Sequence, residues 1–426
     1  MMRYSEKNQR LTYLFLSNFS IYFTGMGLFP LLPLYATEFG ATSAMVGIYL
    51  AVTYVAITAG TLLTGRLVQR LTPRGLFLFS GGLGALALVF LGQANALWHL
   101  FILTAVIWFT GGSGLALVSI LTGLVADKNS RGKSFGLMFM TRPVASLSGG
   151  LIISWLLSDY SYSLMLMALA AVWAILPVVG LLSLRHWQPD ELARNSEQQP
   201  QQPAPLGWTF YLLLVVVLLS TLALYGSRMT MSLSMQSLSF TASDVASTAT
   251  VSGLFGLPIV PLGGALSDRL GRKRMLIVTV VAGALGTLAL TTAAQLWHFW
   301  LATSMMLFAQ SVGLTVASAL ATDLLSARAL QRGLPWLNGA GWMAGIVGFA
   351  GAGYVLEALG PQLLYLGAAG LAGLAALLVL AIRPQTAPEN PLAAAARLLM
   401  VKLSEQARIA ARPTPLLSRR PAKAAC

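Results

Sequence analysis

A single cysteine, three histidines and 13 acidic residues are all that this 426-residue chain holds of the side chains that most often do chemistry. The lone thiol, Cys426, is the last residue, which excludes a disulfide framework and any multi-cysteine metal site. Charge of either sign is scarce. Charged residues make up 9% of the chain, against roughly 25% in a soluble domain, while hydrophobic residues reach 56%. So apolar a surface faces lipid, and a soluble fold is excluded. No span carries a paired His and carboxylate or a ligand cluster, so neither an enzyme nor a cofactor-bearing or metal-bearing protein is expected. Nor does a short apolar segment with a small-residue cleavage site precede the first span, which is expected to act as an uncleaved insertion signal.

Positive charge is what the chain does have, 27 Lys and Arg for a net +14. Apart from Arg142 and Arg228, each lies in a terminus or in alternate loops, and none lies in a segment that a twelve-span reading puts outside. Because flanking positive charge resists translocation, this placement sets both the number and the direction of the crossings. It predicts an all-α polytopic protein of the cell (inner or plasma) membrane with both termini cytoplasmic. Charge scattered over short loops forms no binding face, so nucleic acid is not an expected partner.

A bilayer core of about 30 Å needs roughly 20 apolar helical residues. Spans are predicted near 11–35, 44–65, 76–94, 98–126, 134–158 and 161–184, then near 208–236, 243–266, 275–294, 297–324, 335–357 and 361–382. These form two six-helix bundles, 1–185 and 208–383, joined by a linker at 186–207 and followed by a basic tail at 384–426. The linker's run of Gln, Pro, Ser and Glu cannot bury a core. Leu398, Leu399, Leu403 and Ile409 alternate in the tail with Arg397, Lys402, Arg408 and Arg412, the pattern of a basic helix lying on the inner leaflet or of a solvated tail.

The two bundles repeat one another. Trp98-His99 and Trp297-His298 open the fourth and tenth spans at an offset of 199 residues (297 − 98), shared by Gly65 and Gly264. Asp127 with Arg131-Gly132 recurs as Asp323 with Arg332-Gly333 at nearly that offset. Parallel repeats of this kind describe a large class of secondary transporters that hold substrate between halves near the midplane.

Between spans eight and nine the chain reads Gly264-Ala265-Leu266-Ser267-Asp268-Arg269-Leu270-Gly271-Arg272-Lys273. This resembles the Gly-x-x-x-Asp-Arg-x-Gly-Arg-Lys signature of the major facilitator superfamily at every defining position, and the resemblance extends over residues 8–383. It implies twelve helices in two pseudo-symmetric bundles, alternating access, and a gate built from Gly264, Asp268, Arg269, Gly271, Arg272 and Lys273 with Asp127 and Asp323. In such proteins this network latches the outward-facing state. The matching loop of the first half has Gln69 where the acid would stand, and the fourth span lacks the arginine of the family's proton antiporters.

Arg142, in the fifth span, and Arg228, in the seventh, lie too deep for loop charges, and an intramembrane arginine marks a substrate path or a buried pair. The alternatives are snorkelling to an interface or holding a neighbouring helix through its carbonyls. No acidic residue is placed at mid-bilayer, which favours an anionic or anion-bearing substrate. By the resemblance, spans one, four, seven and ten line the cavity and nominate Asn18, Tyr22, Trp108, Tyr225 and Gln310 as wall residues; for each aromatic the alternative is helix packing. His99 and His298 read as titrating groups or as solvated neighbours of interfacial tryptophans. Met229, Met231 and Met235 either soften a pocket or fill gaps. The expected protein is thus a monomeric secondary transporter of a small organic solute, with export favoured and any coupling to protons left open. Its rivals are an organic-anion importer or exchanger of the same fold and a transport-silent scaffold or receptor.

Overall fold

The computed structural model describes residues 4–125, 131–183 and 206–382, and every regular element among them is helical. Most of the expected linker, the whole tail, Asp127 and Cys426 lie outside the described residues. Helix α1 runs over Tyr4–Leu28 and continues through a 3₁₀ turn, Phe29–Leu31, into Leu32–Glu38. The break follows from Pro30 and Pro33, which remove backbone donors inside the span. Ser43–Leu91 is two crossings, α2 (43–71) and α3 (73–91), divided at Thr72. Then come α4 (Leu97–Val125), α5 (Arg131–Asp159) and α6, broken into Tyr162–Trp173 and Ile175–Ser183. The second half repeats the order with α7 (Trp208–Ser237), α8 (Ala242–Leu270), α9 (Arg272–Ala289) and α10 (Leu296–Leu324). Ala327–Ala381 divides at Gly360 into α11 (327–359) and α12 (361–381).

Nine of the described helices are long and apolar enough to cross a bilayer. Two of these fold back on themselves and each hold two crossings, while α5, which carries Arg142, completes the expected twelve. Large apolar side chains such as Leu62, Leu262, Leu377 and Trp208 stand exposed on the outside of the bundle, where lipid replaces water.

The duplication is visible in backbone geometry. Residues with positive φ close the α1–α2 turn (Gly40, φ 76°) and the α7–α8 turn (Ser239, φ 64°), 199 positions apart. The α2–α3 and α8–α9 corners repeat this at the same offset, with Thr72 at φ 61° and Gly271 at φ 91°. In each pair one half uses glycine and the other forces a side chain into the left-handed region. Thr42 and Thr241, also mates, are the N-caps of α2 and α8. His99 and His298 accept backbone N–H bonds through Nδ1 at the starts of α4 and α10, so their work here is helix capping.

One detail of the sequence reading changes. The signature was placed in a loop, yet α8 continues to Leu270 and α9 starts at Arg272, so Gly271 alone forms the corner.

The halves meet along two seams, α2 against α11 and α5 against α8. Among the described residues, the hydrogen bonds that join them lie from mid-span to the face remote from the basic loops. Thr37 bonds its own repeat mate Gln236 at 3.1 Å, Ser154 meets Ser243 at 2.8 Å, and the Ser146 hydroxyl donates to the Ala249 carbonyl at 2.9 Å. Gly47 and Gly353 cross so closely that a Cβ on Gly353 would lie 2.7 Å from the Ser43 carbonyl oxygen. The hydrophobic core follows the same division. A large core runs through the first half and across to Tyr225, Phe349 and Tyr365, whereas towards the basic loops the second half keeps a separate core around Phe210, Val316 and Val379.

Candidate functional site

Two cavities lie in the bundle, one towards each face. The cavity nearer the basic loops, about 130 Å³, is walled among the described residues by the first half, from α1 (Asn18, Tyr22), α4 (Leu115, Val118, Ser119, Thr122) and α5 (Met138, Arg142). Arg142 is positioned along α1, its Cζ 4.9 Å from the centroid of the Tyr22 ring, a distance at which the ring face attracts a cation. Asn18 spends its amide hydrogens on the Met138 carbonyl (3.0 Å) and the Thr141 hydroxyl (2.8 Å), pinning α1 to α5 beside the arginine. Thr122, fully buried, has a hydroxyl with no hydrogen-bond partner. A buried hydroxyl is normally bonded, so a free one on a cavity wall is a donor or acceptor held ready for a guest.

The second cavity, about 50 Å³, lies towards the opposite face and holds Arg228. Its wall mixes apolar groups from α1 (Met26, Phe29, Pro30, Pro33) with hydroxyls from α5, α8 and α10 (Ser146, Thr248, Ser252, Thr303). Among the described residues, no acidic residue, His or Lys lines either cavity. Among the described residues no carboxylate pairs with Arg228.

Within electrostatic reach of both arginines stand Tyr54 from α2 and Tyr225 from α7, in contact with Phe349 from α11. Their centroids lie 4.9 Å (Tyr54–Tyr225), 5.0 Å (Tyr54–Phe349) and 5.1 Å (Tyr225–Phe349) apart. Trp342 and Phe29 pack onto the same cluster, and Gln310 fixes Tyr225 by donating Nε2–H to its hydroxyl at 3.0 Å. The rings form a stopper between the halves.

The expected wall residues are therefore divided among three places. Asn18, Tyr22 and Arg142 share one cavity, Arg228 lines the other, and Tyr225 with Gln310 belongs to the stopper. Trp108 is buried in the first-half core and lines neither cavity. Met229 and Met231 line the Arg228 cavity while Met235 is buried in the core. Thr122, Tyr54 and Phe349 escaped sequence reasoning. Tyr54 had one legible signal, a phenol in mid-span that must find a polar partner once buried.

At the signature corner the charges knit the second half together. Arg272 donates to Asp323 (2.6 Å), to the Ala319 carbonyl (2.6 Å) and to Thr322 (3.2 Å), and lies 3.9 Å from Asp268. Lys273 donates to the Leu380 carbonyl at 2.7 Å. The side chain of Asp268 is 71% exposed, Arg269 faces outward, and Gly264 has open space where a Cβ would stand.

Solved structures share this architecture. A crystal structure of the nucleoside transporter NupG is similar at a TM-score of 0.69 and 15% identity, over 88% of this chain and 99% of that one. A POT family transporter in complex with a thioalcohol-conjugated peptide gives 0.70 and 14%, over 87% and 95%. A bacterial homolog of the human lysosomal transporter Spinster, inward-facing and unoccupied, gives 0.63 and 14%, over 89% and 95%. No curated protein sequence matches. The family model described as Major Facilitator Superfamily matches residues 14–233 and again 213–423, once for each half of the repeat. With two six-helix halves, a duplicated backbone and a family model that matches both, this chain belongs to the Major Facilitator Superfamily and is a multi-pass secondary transporter, not an enzyme.

Proposed function

We propose that the transported solute is a small organic anion and that the chain exports it across the cell membrane, with both termini cytoplasmic. The observation that carries this reading is the cavity under Arg142. It offers a permanent guanidinium with several directed donors, a Thr122 hydroxyl that has no hydrogen-bond partner among the described residues, and an apolar flank of Leu115, Val118 and Met138. A carboxylate or phosphate on an apolar body fits such a lining, because a charge in low dielectric needs a compensating one. By the positive-inside rule the basic loops face the cytoplasm, so the Arg142 cavity lies towards the inside, where an exporter takes up its load. Arg228 in the opposite cavity favours one further reading, anion exchange, in which a second anion is met from outside. The nucleoside and peptide named for similar structures belong to proteins 14–15% identical and do not carry over.

The test is binding and flux with purified protein in proteoliposomes, over a panel of organic anions, cations and neutral solutes under imposed gradients. An anion is expected to bind, with Arg142→Ala losing at least about tenfold in affinity and Arg142→Lys retaining part of it. Wild-type affinity in both the Arg142→Ala and Arg228→Ala variants, or an organic cation as substrate, would return these arginines to a structural role. Counterflow that requires anion on both sides would select exchange over export.

A further inference from the structure

The N-termini of α2 and α8 are repeat mates, and they are capped by different means. On α8 the cap is self-contained: the Thr241 hydroxyl accepts from Asp244 N–H, and the Asp244 carboxylate accepts in return from the Thr241 backbone and hydroxyl. On α2, Thr42 accepts from Met45 N–H in the same way, but Met45 stands where Asp244 stands in the second half, so the local carboxylate is missing. It arrives from the other bundle. Glu357 of α11 accepts the Ala44 N–H at 2.8 Å and is hydrogen-bonded by the Thr42 side chain. Ala44 is the mate of Ser243, which on the other seam meets Ser154 through hydroxyls and carbonyls, with no carboxylate involved.

Glu357 is badly placed for its own helix. It lies in the last turn of α11, where a negative charge faces the negative end of that helix's dipole, whereas at the α2 N-terminus the same charge is favoured. The contact also lies in the seam where Gly47 and Gly353 cross, so it forms only while the bundles are together on this face.

We propose that Glu357 is a latch for the face remote from the basic loops, a carboxylate that completes the α2 cap only when that face is closed and so biases the transporter towards this state. The inference rests on alternating access but not on the substrate, so an error about the anion leaves it standing. Having the cap's charge delivered in trans makes the stability of one helix end depend on conformational state, which a cap of the α8 type cannot do.

The experiment measures the distance between spin labels on the full-length protein in lipid nanodiscs, at Asn95→Cys and Ala294→Cys in a Cys426→Ser background. Both sites are exposed and lie in corresponding turns of the two halves on this face. Glu357→Ala is expected to raise the long-distance, open population about two- to fivefold, and Glu357→Gln, which keeps an acceptor without the charge, to raise it less. Adding Met45→Asp to Glu357→Ala restores a local cap of the α8 type, and thermal unfolding reports whether helix stability returns. A latch predicts that the double variant stays open; recovery of the wild-type distance distribution would mean that Glu357 merely caps a helix. An unchanged distribution in Glu357→Ala, or in Glu357→Gln should the alanine variant not fold, would overturn the proposal.

Discussion

At the scale of single residues, the two strained corners are the most direct handle on the duplication. Thr72 and Ser239 hold φ of 61° and 64°, in a region that a β-branched side chain especially resists and that their mates Gly271 and Gly40 occupy without cost. Thr72→Gly and Ser239→Gly are each expected to stabilise the protein by about 1 kcal/mol, an offset between relieved strain and the looser unfolded chain. Gly271→Ala and Gly40→Ala are expected to destabilise it by about as much. Thermal unfolding in detergent with bound lipid checks all four, and a glycine variant less stable than wild type would show that the Thr72 hydroxyl, which accepts from Gly75 N–H at 3.2 Å, outweighs the strain.

Among elements, the packing of α2 on α11 sets the terms of movement. A Cβ on Gly47 would stand 2.5 Å from the Phe349 carbonyl oxygen, and one on Gly345 would collide with the Tyr54 ring. Both partners are parts of the stopper, one as rigid backbone and one as a ring already in contact with Tyr225 and Phe349. Gly47→Leu is therefore expected to fold with the two bundles splayed apart on this face, and so to fail to close it. Labelling of a cysteine placed at Ser232, on the wall of the Arg228 cavity, with an impermeant thiol reagent should rise at least about tenfold in that background. Unchanged protection of the cysteine would mean that the crossing can spread to admit a side chain. The same comparison explains what was legible beforehand. Span positions and the two-half order followed from apolar runs and loop charge, because lipid admits only helices whose backbone is internally bonded. The breaks at Phe29–Leu31 and Ala174 and the continuation of α8 to Leu270 were not legible, since they depend on how prolines and a single glycine corner are accommodated by neighbours. Nor was the stopper, because resemblance directed attention to spans one, four, seven and ten while two of its three rings come from α2 and α11.

On the scale of the whole molecule, orientation is the expectation with the widest reach. With the basic loops inside, Cys426 is expected to face the cytoplasm, and an impermeant maleimide should leave it unlabelled in intact cells and label it in inverted vesicles. Labelling of intact cells would reverse every assignment of inside and outside made above. Arg142 and Arg228 were both legible as isolated charges in apolar spans, but that they occupy separate cavities was not, because depth along a helix does not reveal which neighbours enclose it. The ring stopper has an electrical consequence. Where water reaches in from one face and the other is closed, a transmembrane voltage falls mainly across the dry layer between them, here the rings of Tyr54, Tyr225 and Phe349 and the closed α2–α11 seam beyond them. A full charge carried through that layer gains or loses about 2.3 kcal/mol per 100 mV. If the layer shifts relative to the two guanidinium groups as the bundles rock, the empty carrier is expected to move charge through the field even when it moves no solute.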